Sequence, residues 1–246
     1  MKTVAIIQAR MGSTRLPGKA LAEIVGQPAI WHLFRQLSES RYLDSVVLAT
    51  TKSVQDDPLA AYGVAQGWRV FRGSEHDVLD RYYRAAVDAG CGDGDVIVRV
   101  TGDDILVDPE IVDRIVEFYL SHQPAIEHAS NNRTPGFPYG ADVEVFSFRA
   151  LEQAWRSATL PEEREHVTPY IRRHQELFPY VELKSPMDYS RVRLSIDCPE
   201  DLEFNRRLFA VLYQETQPAF HLKDIIRCIE MHDLKHPVVL MEGRCQ

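Results

Sequence analysis

Short apolar runs alternate along the first half of the chain with segments whose apolar residues recur every three or four positions. Each run is typical of a buried parallel strand. The runs cover residues 4–9, 45–50, 68–71 and 95–101. The segments between them predict helices that begin at Pro28 and Asp57 and that span residues 77–89 and 108–122. Strands alternating with helices predict βαβ units, and therefore an α/β fold with a mainly parallel sheet flanked by helices.

The pattern becomes less regular after Pro124. Residues 131–140 are rich in turn formers and predict a long loop. Strands are predicted beyond it at residues 141–148, 181–184 and 191–196, and helices at residues 149–157, 162–176, 199–214 and 223–232. Without an internal repeat or a linker, we predict one domain over residues 1–246, with a small β-rich subregion for acceptor binding and dimerisation at about 124–190.

Composition narrows the class of protein. The net charge of −8 disfavours a general nucleic-acid binder, which would usually carry a basic face. An apolar run long enough for a transmembrane helix (about 18 residues) is absent from the sequence, and the apolar start is too short for a signal peptide. The four cysteines, Cys91, Cys198, Cys228 and Cys245, form no CxxC pair, which disfavours a zinc site or a disulfide framework. We therefore expect a cytoplasmic protein that binds neither membranes nor nucleic acid.

The loop after the first strand is the strongest candidate for chemistry. It contains two glycines, one proline and three cations, Arg10, Arg15 and Lys19. Such a loop can direct backbone N–H groups and cationic side chains at phosphates. It is not a Walker A loop, because five residues separate Gly12 from Gly18 and no hydroxyl residue follows Lys19. The alternative is an exposed basic turn.

Two aspartates follow later strands. Asp103 comes after the strand at 95–101, and Asp197 after the one at 191–196. Ligands of parallel α/β sheets bind at the carboxyl ends of the strands, and Mg²⁺ prefers oxygen ligands from one or two carboxylates. The alternative is that each aspartate forms a turn or caps a helix, as Asp197 could for the helix at Pro199.

Six blocks of the chain resemble, in order, those of the SpsF-type spore-coat polysaccharide proteins. These belong to the cytidylyltransferase group that includes the 3-deoxy-manno-octulosonate and acylneuraminate cytidylyltransferases. The blocks are residues 6–19 (IIQARMGSTRLPGK), 72–81 (RGSEHDVLDR), 101–104 (TGDD), 139–146 (YGADVEVF), 163–170 (EREHVTPY) and 195–202 (SIDCPEDL).

The resemblance implies a Rossmann-like nucleotidyltransferase fold, a homodimer, Mg²⁺ as cofactor, and transfer of a nucleoside monophosphate from a triphosphate, CTP, to a sugar acid, sugar phosphate or similar anionic acceptor. It implies catalytic roles for Arg10, Lys19 and Asp103, and metal binding by Asp103 and Asp197. The nucleotide-binding residues that it implies are Gln8, Ala9, Arg10, Gly12, Ser13, Arg15, Lys19, Asp77, Arg81 and Gly102.

The acceptor side is expected to contain Asp142, Glu144, Glu165 and His166. Three of these residues have a plainer explanation. Asp142 and Glu144 alternate on a predicted strand and could form a solvated face. Glu165 suits the first turn of a helix through the helix dipole. Other histidines, including His232 and His236, are expected at the surface.

The chain departs from the family pattern at two places. Asp104 and Ile105 replace the usual Cys-Pro after Asp103, and Cys198 replaces Thr after Asp197. Asp104 could add a metal contact. Two rival functions stay open at this point: a glycosyltransferase, which would release a nucleoside diphosphate, and a non-catalytic partner that binds nucleotide without turnover.

Overall fold

Strands and helices alternate from the amino terminus of the computed structural model, which describes residues 1–215 and 219–235. The strands are β1 (Thr3–Gln8), β2 (Glu23–Ile24), β3 (Gln27–Pro28), β4 (Ser45–Thr51), β5 (Arg69–Gly73), β6 (Val96–Thr101), β7 (His128–Ser130), β8 (Glu144–Ser147) and β9 (Tyr180–Glu182). The α-helices are α1 (Ala29–Ser38), α2 (Asp57–Ala65), α3 (Val78–Asp88), α4 (Pro109–Ser121), α5 (Phe148–Ser157), α6 (Pro161–His166), α7 (Pro169–Arg173), α8 (Pro199–Glu215) and α9 (Leu222–Met231). Lys19–Leu21 and Val54–Asp56 form short 3₁₀ turns.

Seven strands form one sheet in the order β5-β4-β1-β6-β8-β7-β9. The pairs β1–β4, β1–β6, β4–β5 and β7–β9 are parallel, whereas β8 runs antiparallel to β6 and β7. Gln8 pairs with Ala49 on one side and Thr101 on the other, so β1, β4 and β6 end together at one edge of the sheet. The predicted α/β class with a mainly parallel sheet is confirmed.

Both faces of the sheet are buried. Along β1, Ala5 and Ile7 pack into one apolar cluster, while Val4 and Ile6 pack into a second cluster on the opposite face. This explains why β1 is a continuous apolar run instead of an alternating one. The helices cover both faces, and none of those in residues 1–215 and 219–235 has the length and apolar character that a bilayer crossing requires.

The predicted β-rich subregion contributes its strands to the main sheet, through β7, β8 and β9. The short strand β7 was not predicted. A separate two-stranded antiparallel sheet, β2–β3, lies beside the start of α1.

Two predicted elements differ from the structure. The single helix predicted at 162–176 is two short helices, α6 and α7, because the backbone turns at Val167 and Pro169 follows. Residues 191–196 are extended but pair only through one bridge, between Tyr139 and Arg193, in the described part of the chain. Cys91, Cys198 and Cys228 are buried and form no disulfide among the described residues, while Cys245 and His236 lie outside those residues.

Candidate active site

A cavity of about 650 Å³ opens at the edge where β1 and β6 end. Most of the predicted site residues line it: Gln8, Ala9, Arg10, Ser13, Arg15, Lys19, Arg81, Gly102, Asp103, Glu165, His166 and Asp197. Four predicted residues are not among its lining residues: Gly12, Asp77, Asp142 and Glu144. The structure therefore brings together residues that are almost 190 positions apart in sequence.

The loop after β1 is held closed at both ends. The Met11 N–H donates to Asp56 Oδ1 at 2.6 Å, and the Gly18 N–H donates to the Met11 carbonyl at 2.9 Å. Gly18 has a φ of 77°, a left-handed conformation that favours glycine. The loop thus places Arg10, Arg15 and Lys19 along the cavity instead of leaving them on a mobile basic turn.

Lys19 lies between the two predicted metal ligands. Its ammonium donates to Asp103 Oδ2 at 2.8 Å, to Asp197 Oδ1 at 3.3 Å and to the Ile196 carbonyl at 2.7 Å. The Ile196 N–H also donates to the Asp103 carbonyl at 3.0 Å, which ties the two acidic segments together. Burial alone would lower the pKa of Lys19, but the two carboxylates outweigh it and raise this pKa.

The oxygen atoms around the Lys19 ammonium suit a divalent metal. Two carboxylates and a carbonyl are the ligand types that Mg²⁺ accepts, and a cation already stands among them. The chemistry of the donor set therefore fits the metal that the sequence predicted at Asp103 and Asp197.

Asp197 attracts more than one cation. Arg15 reaches its Oδ1 at 3.0 Å, and Arg193 and the Tyr139 hydroxyl donate to its Oδ2 at 2.7 and 3.3 Å. Burial raises the pKa of Asp197, but Lys19 and Arg15 overcome this and lower it. Asp103, Asp197, Lys19, Arg15 and Arg193 are called the cavity cluster below.

Gly102 lets the ends of β1 and β6 approach closely. Its N–H donates to the Gln8 carbonyl at 2.9 Å. A Cβ at this position would lie 2.7 Å from the Ala9 Cβ and 2.8 Å from the Gln8 carbonyl oxygen. Any side chain at 102 would therefore separate the cationic loop from Asp103.

Two cavity residues have buried polar atoms without a hydrogen-bond partner in the described residues. They are Gln8, through Oε1, and Arg81, through Nε. Arg81 NH1 donates to the Ser74 carbonyl at 2.6 Å, and burial lowers the pKa of this guanidinium. An unsatisfied buried polar atom is costly, so these atoms indicate a polar ligand that meets them.

Asp77 lies beside the cavity and is not one of its lining residues. It caps α3 by accepting the Asp80 N–H at 2.9 Å, and it accepts a bond from Arg164 Nε at 3.0 Å. Arg164 also donates to the Trp155 carbonyl at 2.7 Å. Asp77 therefore fixes the position of α6, the helix that carries Glu165 and His166 into the cavity.

The residue after His166 has a strained backbone. Val167 has φ 69° and ψ −56°, and the Thr168 N–H donates to the His166 carbonyl at 2.8 Å. This is a γ-turn of the rare, strained type, in a β-branched residue that is fully buried. Strain of this kind often occurs where a side chain must be aimed at a site.

Glu144 does not face the cavity, which corrects its predicted contact with the acceptor. Its carboxylate is 1% exposed and binds Arg99 at 2.8 Å, Arg172 at 2.6 Å and the Thr168 hydroxyl at 3.1 Å. Although burial raises the pKa of Glu144, hydrogen bonding and the cations around it hold that pKa well below its usual range. Glu144, Arg99, Arg172 and Thr168 are called the buried cluster below; a solvated face is likewise wrong for Glu144.

Asp142 lies between the two clusters, and burial together with the charge of Glu144 raises its pKa to about 6. Asp104 is 5% exposed and accepts a hydrogen bond from the Thr101 hydroxyl. Burial, Asp103 and Asp142 raise the pKa of Asp104. Asp104 therefore stabilises the end of β6 and does not provide an exposed metal ligand.

A second group with metal-ligand chemistry lies away from the cavity, at Asp108, Glu110 and His221. Asp108 accepts the Glu110 N–H at 2.8 Å and the Leu222 N–H at 2.7 Å, so it caps both α4 and α9. His221 Nδ1 lies 3.0 Å from Asp108. Helix capping accounts for this arrangement without an ion.

Sequence reasoning missed several residues that support the site. Asp56 anchors the first loop, Arg164 anchors α6, and Arg193 with Tyr139 orients Asp197. Glu162 and Glu163 pair with Arg173, so they stabilise α6 and α7. A signal for Arg164 was present, since it lies inside the block at 163–170 beside Glu165 and His166.

A parallel sheet with a cation-rich loop after its first strand, facing paired aspartates, is the arrangement expected of a nucleotidyltransferase. A family model described as cytidylyltransferase matches residues 4–225. The chain belongs to this cytidylyltransferase family.

Relatives and solved structures agree with this assignment. The spore coat polysaccharide biosynthesis protein SpsF of Bacillus subtilis is 37% identical over 83% of this chain and 85% of its own length. A cytidylyltransferase structure from Leptospira borgpetersenii is 34% identical, with a TM-score of 0.87 over 100% of this chain and 99% of its own. The structure of CMP:2-keto-3-deoxy-manno-octonic acid synthetase complexed with CTP shares the fold, with a TM-score of 0.67 and 21% identity over 88% of this chain and 100% of its own.

Proposed function

We propose that the protein transfers CMP from CTP to a sugar acid, a sugar phosphate or a similar anionic acceptor, with release of pyrophosphate. The observation that carries this proposal is the cavity cluster, in which Lys19 joins Asp103 and Asp197 beside Arg10 and Arg15. Nucleotidyl transfer depends on positioning and on neutralising phosphate charge more than on covalent chemistry. The cluster supplies both the cations for a triphosphate and the carboxylates for a metal.

The described residues divide into two roles. Arg10, Arg15 and Lys19 bind and neutralise the triphosphate. Asp103 and Asp197 would hold Mg²⁺, which would neutralise phosphate charge. A bond forms between the acceptor oxygen and the α-phosphorus as the bond from that phosphorus to the bridging oxygen breaks; pyrophosphate carries away the bonding electrons, and an acceptor hydroxyl loses its proton to solvent.

Cytosine suits the unsatisfied atoms of the cavity. Its exocyclic amino group is a donor for Gln8 Oε1, and its ring carbonyl is an acceptor for Arg81. The neighbour solved with CTP supports the same nucleotide. Glu165 and His166 also line the cavity and are the residues that we assign to the acceptor.

The similarity to SpsF supports a setting in surface polysaccharide precursor synthesis. The homodimer that the resemblance implies stays a prediction, which analytical ultracentrifugation of the full chain tests.

A pyrophosphate-release screen tests the proposal, with four nucleoside triphosphates, Mg²⁺ and a panel of acidic sugars. We expect turnover with CTP and one acceptor class. Asp103→Asn and Lys19→Ala should each lower the rate roughly a hundredfold or more. Lys52→Ala is the matched control, because Lys52 is exposed and is not among the residues that line the cavity.

Three outcomes would contradict the proposal. Near-normal rates in both cavity variants would remove the site assignment. Release of a nucleoside diphosphate from a nucleotide sugar would favour a glycosyltransferase. Tight nucleotide binding that Mg²⁺ leaves unchanged, without turnover on any acceptor, would favour a non-catalytic partner.

A further inference from the structure

The Lys19 ammonium occupies the position that a metal ion between Asp103 and Asp197 requires. Its three oxygen contacts, to Asp103, Asp197 and the Ile196 carbonyl, lie at 2.7–3.3 Å and match its three N–H donors. Its side chain is 16% exposed, so the contact is a packed one and not a transient surface pair. Lys19 and a metal ion therefore compete for the same oxygens.

Adding a divalent ion beside Lys19 would crowd cations around the same carboxylates. Asp197 already contacts Arg15, Lys19 and Arg193. Arg193 is held in place by Asp201, whose Oδ1 accepts its Nε at 2.8 Å. Like charges at such distances repel strongly where water is scarce. One of the cations must leave before a metal can bind tightly.

Lys19 contacts both Asp103 and Asp197, so its departure would free both carboxylates. It lines the same cavity as Arg10 and Arg15, where a triphosphate would be bound, and its four-carbon stem can swing a point charge between two anions. Without nucleotide, its best partners are the two carboxylates. With nucleotide, the phosphates offer a more concentrated negative charge.

We propose that Lys19 is a place-holding cation, which occupies the metal ligands until nucleotide arrives and then moves to the triphosphate, so that metal binding is conditional on nucleotide. This inference rests on the proposed function in one respect: it takes Asp103 and Asp197 as the metal ligands. It adds that Lys19 links two binding events. Without nucleotide, a metal ion meets carboxylates whose charge Lys19 already neutralises. With nucleotide bound, Asp103 and Asp197 are free to bind the metal.

Thermodynamic linkage gives the expected size of the effect. Coupling between two ligands typically changes the affinity of each by 5- to 150-fold. Nucleotide should therefore tighten metal binding to the wild-type protein by at least roughly tenfold. Replacing Lys19 by an uncharged residue should tighten metal binding without nucleotide by a similar factor, and should remove most of the coupling.

The experiment measures Mn²⁺ binding by the full chain through the electron paramagnetic resonance signal of free Mn²⁺. The variants are Lys19→Met, which removes the charge and leaves an apolar side chain, and Lys19→Gln, which removes the charge but keeps a polar end group. Lys52→Met is the control for the same change in net charge at an exposed position. Each is measured alone and with a CTP analogue whose α–β bridging oxygen is a methylene group, so that no transfer occurs.

The expected result is weak Mn²⁺ binding to the wild-type protein and to Lys52→Met, and binding at least roughly tenfold tighter to a Lys19 variant that retains its thermal unfolding transition. After the Mn²⁺ that the analogue itself binds in solution is subtracted, the analogue should tighten binding to the wild-type protein by a larger factor than binding to the Lys19 variants. Equal or weaker Mn²⁺ binding by both folded Lys19 variants would overturn the proposal.

A double variant separates this inference from the proposed function. If the double variant with Lys19→Met and Asp103→Asn loses Mn²⁺ binding, Asp103 is a metal ligand. This conclusion holds whether or not Lys19→Met alone supports the place-holding role. If the double variant binds Mn²⁺ as tightly as Lys19→Met, the metal lies elsewhere and both assignments are wrong.

Discussion

The cavity cluster and the buried cluster both pair acidic side chains with basic ones, yet they have different consequences. In the buried cluster, Glu144 is 1% exposed, and its partners come from β6 and from α7 with its N-cap residue Thr168. In the cavity cluster, Asp103 and Lys19 are partly exposed, and several cations compete for Asp197. Access to solvent and a choice of partners distinguish a site that can bind a ligand from one that holds the fold together.

The largest expected effect comes from breaking the buried cluster. Glu144→Gln removes the charge that balances Arg99 and Arg172, and breaking a buried ion pair costs about 3–5 kcal/mol. We expect a loss of about 3 kcal/mol in the free energy of unfolding, measured by urea denaturation. Asp103→Asn is the matched control, and it should lower that free energy by less than Glu144→Gln does, because Asp103 is partly exposed and Lys19 retains Asp197 as a partner. A fully stable Glu144→Gln protein would show that the two clusters do not differ in this way.

A smaller, pH-dependent effect is expected at Asp142, which lies between the clusters. Its pKa of about 6 lies above the ordinary value of 3.8, so the folded chain binds this proton more tightly than the unfolded chain. The carboxyl therefore contributes less stability as the pH rises from about 4 to about 6, and its charge is unfavourable above that range. Asp142→Asn removes this cost, which is at most about 3 kcal/mol.

Thermal unfolding at two pH values measures this effect. At pH 8, the unfolding temperature of Asp142→Asn should exceed that of the wild-type protein, and the difference should shrink at pH 5. A difference that is constant with pH would mean that burial and the charge of Glu144 do not raise the pKa of Asp142.

The smallest effect concerns the turn that joins the clusters. His166 lines the cavity, Thr168 binds Glu144, and the strained Val167 lies between them. Ala and Gly both delete the buried side chain, but only Gly relieves the positive φ. Val167→Gly should therefore be more stable than Val167→Ala by about 1 kcal/mol, the reverse of their usual order in a helix. Chemical denaturation of the two variants measures this difference. If the turn were unstrained, Val167→Ala would be the more stable variant.

Sequence reasoning predicted the part of the structure that depends on local patterns. The apolar runs at 4–9 and 95–101 identify β1 and β6 because both faces of these strands are buried. The rule that ligands bind at the carboxyl ends of parallel strands then predicts that Lys19 lies near Asp103.

The remainder depends on contacts between distant segments. The burial of Glu144 requires Arg99 and Arg172, which lie 45 and 28 positions away, so an alternating strand pattern cannot reveal it. The break between α6 and α7 opposes the local preference of valine, which rarely adopts positive φ. The strand β7 spans three residues, too few for a periodic pattern.

Gly102 has a further consequence for the geometry of the site. The distance between the cationic loop and Asp103 is set by atoms in direct contact across residue 102, where one hydrogen atom stands in place of a methyl group. Because this distance is fixed by van der Waals contact, it does not change when side chains change rotamer or when water enters and leaves the cavity. The spacing between the cationic loop and Asp103 therefore depends on the absence of a side chain at one position, residue 102.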